Sequence, residues 1–242
     1  MYKYKHRTRE ERLKEIIIGQ SIVSFFIIAI SSWLVFWGLG YKINWQNLSI
    51  KHTGIIYLLY SPRDADVFVD GKLQNASSPY NISLSPGYYQ AEIKKNGYVT
   101  WFNNIKVSAD QVSSNKNIVL FKIAPKVSVL SDQSAIATID APIDTLVKNP
   151  TGELKTTDYE IYVGENLVTR FSEKISNVIW YPGSEYIAYQ QDDEIRIIEK
   201  NGTNDIALVK LSSSTPTKFI FSWDGSLLLY KDGSEYKRAE II

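Results

Sequence analysis

The sequence predicts a mainly β protein behind a single N-terminal transmembrane helix, with a small β-sandwich followed by incomplete β-propeller-like repeats. Three observations predict it. Residues 16–41 contain no charged side chain. From Gly54 onward, apolar residues recur at every second position between closely spaced turn signals. Beyond residue 157 the chain repeats itself with a period of about 41 residues. Composition sets the outer limits. A 242-residue chain with 22% charged and 44% hydrophobic residues is that of a folded protein. A net charge of +1 argues against a nucleic-acid-binding surface. The absence of Cys excludes disulfides, thiolate metal sites and a Cys nucleophile.

Residues 1–15 form a basic tail. Lys3, Lys5, Arg7, Arg9, Arg12 and Lys14 stand against Glu10, Glu11 and Glu15, a net +3. Residues 16–39 follow as the transmembrane helix, about 36 Å long at about 1.5 Å per residue, enough to span the hydrocarbon core with some tilt. Trp33, Trp37 and Tyr41 recur at i, i+4 and i+8, which places all three on one helical face at the membrane interface. A cleaved signal peptide is the rival reading, with Ala29-Ile30-Ser31 as a small-x-small cleavage site. Trp33–Leu39 prolongs the apolar run where a cleavage region turns polar, so an uncleaved anchor is expected. Lys and Arg beside a span are retained in the cytoplasm. The expected location is therefore the cell membrane, single-pass, with the N-terminus cytoplasmic and everything after Tyr41 outside. Residues 40–53 read as a juxtamembrane linker.

The next segment, 54–121, reads as a β-sandwich of six or seven short strands. Ile55–Tyr60 is β-branched and aromatic, the composition that suits a pleated surface. Val67-Phe68-Val69 runs into Asp70-Gly71, a strong hairpin signal. Tyr80, Ile82 and Leu84 alternate with polar residues, as do Tyr89, Ala91 and Ile93; Pro86-Gly87 and Asn96-Gly97 are turns. The ordered motifs Pro62-Arg63-Asp64-Ala65, Val67-Phe68-Val69-Asp70-Gly71, Ser77-Ser78-Pro79, Leu84-Ser85-Pro86-Gly87-Tyr88-Tyr89 and Asn96-Gly97-Tyr98 resemble the PEGA domain. The departure is Arg63-Asp64, where the family has Glu-Gly. The resemblance implies a β-sandwich of surface proteins without catalytic activity. It makes Pro62, Ala65, Asp70, Gly71, Pro79, Pro86, Gly87, Gly97 and Tyr98 residues of the fold and not of a reaction.

Residues 125–242 are expected to hold propeller-like β repeats. Trp180–Tyr189 overlays Phe221–Tyr230, and Glu194-Ile195-Arg196 falls on Glu235-Tyr236-Lys237. An earlier partial copy begins at Asp158, with Ala135–Ile139 as a further candidate strand. An aromatic, a turn with Gly or Asp and three alternating strands are the grammar of a propeller blade. Ser222-Trp223-Asp224-Gly225 and its counterpart Tyr181-Pro182-Gly183-Ser184 resemble the Ser-Pro-Asp-Gly turn of TolB-type, WD40-like propellers. That makes Trp180, Gly183, Trp223, Asp224 and Gly225 the repeat motif. Fewer than three periods are present, where closure takes at least about four blades. The repeats are therefore expected either to form an open stack or pair with another chain, or to pack as an irregular sandwich. The lack of closure leaves open β edges, a site for assembly.

No catalytic constellation is expected. The two His residues, His6 and His52, lie in the tail and the linker. Walker loops, dinucleotide fingerprints and nucleophile elbows are missing from the sequence. Asp192-Asp193-Glu194 lacks the spacing of a Ca²⁺ loop and reads as a hairpin tip, and Asp64, Asp66 and Asp70 read as turn chemistry. Trp101, Trp180 and Trp223 divide between core filling and a saccharide-binding face according to their exposure. No cofactor or metal is expected. The partners expected are the lipid bilayer and an envelope polysaccharide or protein, with no nucleic acid. The functional expectation is a non-enzymatic binding or structural module anchored at the cell surface. The rivals are a sensor acting through a membrane partner and an envelope hydrolase, the latter requiring a cleft with carboxylates about 5–10 Å apart.

Overall fold

The computed structural model describes residues 9–38, 41–44, 49–74, 77–141, 154–183 and 185–242. The chain forms two compact units. One holds residues Met1–Ile55 with Ser83–Gly87 and Val107–Val112, and the other holds the remainder.

In the first unit, helix α1 (Arg9–Gly38) runs through the uncharged segment as far as Gly38. Its stretch Leu13–Gly38 is long and apolar enough to cross a membrane, and none of it is buried by protein. The helix stops at Gly38. Glycine is the poorest helix former after proline, and Gly38 is the last residue of α1, with Leu39 and Gly40 outside the described residues. Tyr41 therefore does not continue the helical face of Trp33 and Trp37. It opens strand β1 (Tyr41–Asn44), which pairs antiparallel with β2 (Ser49–His52), Ile43 facing Ile50. The segment expected to be a linker is thus a hairpin, because its few apolar residues sit at strand period. Past it, the chain is tied by hydrogen bonds from Asp110 N to Thr53 O (3.1 Å) and from Ile55 N to Gln111 O (2.9 Å). The His52 Nδ1 and Asp110 Oδ1 atoms are 3.0 Å apart.

Seven strands follow, most of their length in the second unit: β3 (Gly54–Ser61), β4 (Asp66–Val69), β5 (Lys72–Gln74), β6 (Tyr80–Leu84), β7 (Gly87–Lys94), β8 (Trp101–Val107) and β9 (Val112–Val119). They form two sheets, β6-β3-β9 and β5-β4-β7-β8. The sequence alternation becomes a buried row. Ile56, Leu58 and Tyr60 of β3, Val67 and Val69 of β4, and Ala91 and Ile93 of β7 are all buried. At about 25 cal/mol per Å² of apolar surface, such rows supply most of what holds a small sandwich without disulfides.

The C-terminal part begins with β10 (Lys126–Val129) and α2 (Gln133–Asp140). Ala135–Ile139, expected as a strand, lies in α2. The Asp132 side chain accepts a hydrogen bond from Ser134 N at 2.9 Å and caps the helix, and Ile139 turns into the core. Three sheets follow. The first joins β11 (Leu154–Thr156), β12 (Glu160–Val163) and β13 (Asn166–Arg170). The second is a four-stranded meander of β14 (Ile175–Trp180), β15 (Tyr186–Gln191), β16 (Glu194–Glu199) and β17 (Ile206–Lys210). The third comprises β18 (Phe219–Phe221), β19 (Leu227–Asp232) and β20 (Glu235–Glu240). Its fourth place, beside β20, is taken by β10, with Val127 opposite Ala239.

The repeat holds at the level of single hydrogen bonds. Shifting by 41 residues carries β15 onto β19 and β16 onto β20 without a gap. The bond from Tyr181 N to Tyr186 O recurs as Ser222 N to Leu227 O, both 3.0 Å, and Lys200 N to Glu185 O recurs as Ile241 N to Ser226 O. Ala188, Ile195 and Ile197 of the second sheet and Leu228, Tyr230 and Ala239 of the third share one core. The sheets do not close into a barrel or a propeller among the described residues.

Candidate interaction groove

The feature that joins the sandwich to the repeats was not legible in the sequence. Strand β16 ends on Glu199, and residues 200–205 turn back into β17 through positive-φ conformations at Gly202 and Asn204. A Cβ on Gly202 would lie 2.5 Å from the carbonyl oxygen of Val168, so this turn requires glycine. Glu199 is buried, and its carboxylate accepts four hydrogen bonds. Oε2 takes them from Thr203 Oγ1 (2.9 Å) and Asn201 Nδ2 (3.2 Å), and Oε1 from Asn204 Nδ2 (3.1 Å) and the indole Nε1 of Trp101. Trp101 stands 98 residues earlier, on β8 of the sandwich. Beside it, Asn204 completes a two-way clasp on the backbone of Phe102, accepting from its N at 3.2 Å and donating to its O at 3.0 Å.

Two clefts flank this junction. One, of about 470 Å³, is lined by Trp101, Asn115, Lys116, Tyr186, Glu199 and Lys200. The other, of about 440 Å³, is lined by Tyr60, Arg63, Val119, Tyr181, Glu185 and Asp224. Asn117, Ile118, Glu185 and Tyr186 belong to both, so the two form one groove along β9. Its floor is aromatic, the Phe121 ring lying edge-on to Tyr181 and Tyr186 at 5.6 and 5.5 Å. The Tyr186 hydroxyl oxygen accepts a hydrogen bond from Val119 N at 3.0 Å. Burial pushes both phenols up, Asp224 adding to the rise at Tyr181 and Glu199 at Tyr186. They act as neutral hydrogen-bonding groups.

The groove's carboxylates are already engaged. Lys200 pairs with Glu185 at 2.9 Å. Asp224 accepts from the Ser222 hydroxyl at 2.6 Å and from the Ser226 N–H and hydroxyl at 3.1 and 2.9 Å. These bonds, that of Ser222 first, hold its carboxyl below the usual carboxylate range.

The residues singled out in the sequence are placed as follows. In the sandwich, Asp70 and Gly71 both have positive φ, as the hairpin turn requires, and the Asp70 carboxylate accepts from Gln90 N at 2.9 Å. Ala65 is buried beneath the turn, its N–H donating to Pro62 O at 3.4 Å. Pro79 follows Ser78, whose hydroxyl accepts from Tyr60 N at 2.9 Å. Pro86 and Gly87 lead into β7, and Gly97 accepts from Ile123 N at 3.0 Å beside the bridge of Tyr98 to Lys122. Of the acids, Asp64 pairs with Lys95 at 2.6 Å, while Asp192-Asp193-Glu194 forms the β15–β16 turn, with Asp193 paired to Lys210 at 3.2 Å. The described residues hold no cluster of three His, Asp or Glu side chains that could bind a metal.

In the repeats, Gly183 and Gly225 occupy turns at positive φ, and the Tyr181 hydroxyl donates to Gly225 O at 3.0 Å. Ser184 lies outside the described residues. The three tryptophans divide sharply. Trp101 and Trp180 are buried, whereas Trp223 is 93% exposed at the tip of its turn. The repeat motif thus fills the core at one position and presents a bare indole at the other.

No curated protein matches the chain. A crystal structure of a Bacteroides fragilis protein, described as membrane-associated and of unknown function, aligns with 78% of this chain and 94% of its own length. Identity is 10% and the TM-score is 0.27, an overlap that carries no argument about fold or function. Residues 53–119 match the PEGA domain family, which agrees with the sandwich bounds read from the motifs and with the turns that those motifs build.

Proposed function

We propose that this protein is a non-enzymatic interaction module held at the outer face of the cell membrane by α1. In this reading the PEGA-type sandwich and the incomplete propeller-like sheets lie outside, and their groove or open edges bind an envelope polymer or a protein partner. The observation that carries it is the junction at Glu199, which fixes two β modules to one another as a single display surface. The net +3 of residues 1–15 favours a cytoplasmic N-terminus. Strand β10, from the start of the C-terminal part, completes the last sheet beside β20 and so covers one of its edges.

The chemistry of the groove supports a binding role over a hydrolytic one. A glycosidase acid needs a carboxyl with a raised pKa. Here Asp224 is held low and Glu199 is occupied by four donors. The test is protease treatment of intact cells carrying a C-terminal epitope tag, followed by affinity capture with purified envelope polysaccharide. Loss of the tag and retention of the module on the polysaccharide are expected. A tag protected in intact cells and digested only after lysis contradicts the orientation.

A further inference from the structure

Helix α1 has two unlike faces. At about 100° per residue, Gln20, Ser24, Ser31 and Gly38 fall within about 40° of one another. Ile27 and Leu34 fill the gaps, giving the 4-3-4-3-4 spacing of a helix–helix seam over residues 20–38. All five aromatic residues of the helix, Phe25, Phe26, Trp33, Phe36 and Trp37, lie in an arc of about 120° on the opposite side. The bulky rings thus face away from the row that contains the carboxamide.

We propose that α1 pairs with α1 of a second copy of this chain along the seam Gln20–Ser24–Ser31–Gly38. The inference rests on the membrane-spanning reading above. Gln20 lies about 8 Å from the middle of the Leu13–Gly38 stretch, inside the half-thickness of about 15 Å of a hydrocarbon core. Serine hydroxyls at that depth can bond to the carbonyl one turn earlier in their own helix. A glutamine carboxamide, with two N–H donors and an acceptor oxygen, cannot be satisfied that way, and lipid offers it nothing.

A second copy answers this need by construction. Identical insertion makes the two helices parallel, so Gln20 meets Gln20 at equal depth, each donating to the other's oxygen. Any other partner would have to carry its own polar group at that level. Ser24, Ser31 and Gly38 keep the seam slim enough for close approach. Residues 9–15, next to the seam, carry three basic and three acidic side chains, and the net +3 of the tail sits farther out, on Lys3, Lys5 and Arg7, where salt screens it.

The absence of native Cys makes the test direct. Ser24→Cys, Ser31→Cys, Phe25→Cys and Trp33→Cys are placed singly in the full chain, in native membranes, and oxidised with copper phenanthroline. The seam variants are expected to form disulfide dimers at least roughly fivefold more than the two aromatic-face variants, since a disulfide needs Cα atoms within about 7 Å. Adding Gln20→Leu to Ser24→Cys is expected to lower the dimer roughly three- to tenfold, and Gln20→Asn to restore most of it. Alkaline carbonate extraction separates the failures. A chain released by carbonate overturns the membrane reading and the pairing with it. A chain that stays in the membrane overturns the pairing alone if both faces crosslink equally, if neither does, or if Gln20→Leu leaves the dimer unchanged.

Discussion

Replacing Glu199 by alanine removes the acceptor for four donors at once, and the cost follows from where each donor is left. Asn201 and Thr203 are exposed, so water takes over their bonds at little cost. Asn204 keeps its bond to Phe102 O. The Trp101 indole N–H has no such recourse, since Trp101 is only 3% exposed. An orphaned buried donor costs about 1–3 kcal/mol, and losing charge-assisted bonds adds about 1–2 kcal/mol. Glu199→Ala should therefore destabilise the protein by about 3 kcal/mol. Trp101→Phe keeps an aromatic ring on β8 but deletes the N–H with part of the indole, leaving Glu199 with three donors, and should cost about 2–3 kcal/mol. The assay is urea unfolding of the detergent-solubilised chain, followed by circular dichroism for both single variants and the double variant. A coupling energy of about 1–2 kcal/mol is expected, because the double variant leaves no orphaned indole donor. An additive cycle, or a loss below about 1 kcal/mol for Glu199→Ala, would refute the claim that this carboxylate holds the sandwich to the repeats.

Other perturbations read different parts of the structure. Gly225→Ala puts a Cβ 2.2 Å from the Tyr181 hydroxyl at φ +74, so a loss of about 2–3 kcal/mol in thermal or urea unfolding is expected, and a loss below about 1 kcal/mol would contradict the close approach. Trp223→Ala should leave stability within about 0.5 kcal/mol, against about 3–5 kcal/mol for Trp101→Ala, as read by the same unfolding midpoints. Stability should also fall in acid through Asp232. Burial pushes its carboxyl up, but Lys237 and Ser212 outweigh that and hold it at about 2, against 3.8 for the free group. Because the folded pKa is the lower one, its contribution of about 2 kcal/mol is present above about pH 4 and is lost as the pH falls toward 2. Asp232→Asn should remove that part of the pH dependence, and an unchanged pH profile would show that the pair with Lys237 is not the cause.

Much of the fold was legible because it rests on local chemistry. The Asp70-Gly71, Asn96-Gly97 and Asp224-Gly225 turns need residues that tolerate positive φ, and Ile56, Leu58 and Tyr60 need only to alternate. Where the sequence reading failed, local signals were weak or competed. Ala135–Ile139 has apolar residues that fit a short strand, but the Asp132 cap favoured a helix. The 40–53 segment marks its hairpin only weakly, by two four-residue strands in which Ile43 stands opposite Ile50. Tyr41 keeps helical spacing from Trp37, yet the helix ends first, at Gly38.

The amino-acid sequence by itself determined the apolar helix, the alternation of the sandwich and the 41-residue repeat, since each depends on residues close in the chain or on a recurring pattern. Only the tertiary structure decided that β10 would complete the last sheet, that Trp101 would be buried while Trp223 stood bare, and that Glu199 would serve the sandwich as well as its own turn. Those outcomes depend on partners about a hundred residues away, as with Trp101 and Glu199 or Ser128 and Arg238. Which distant groups meet is set by the packing of whole sheets, and no local propensity carries that information.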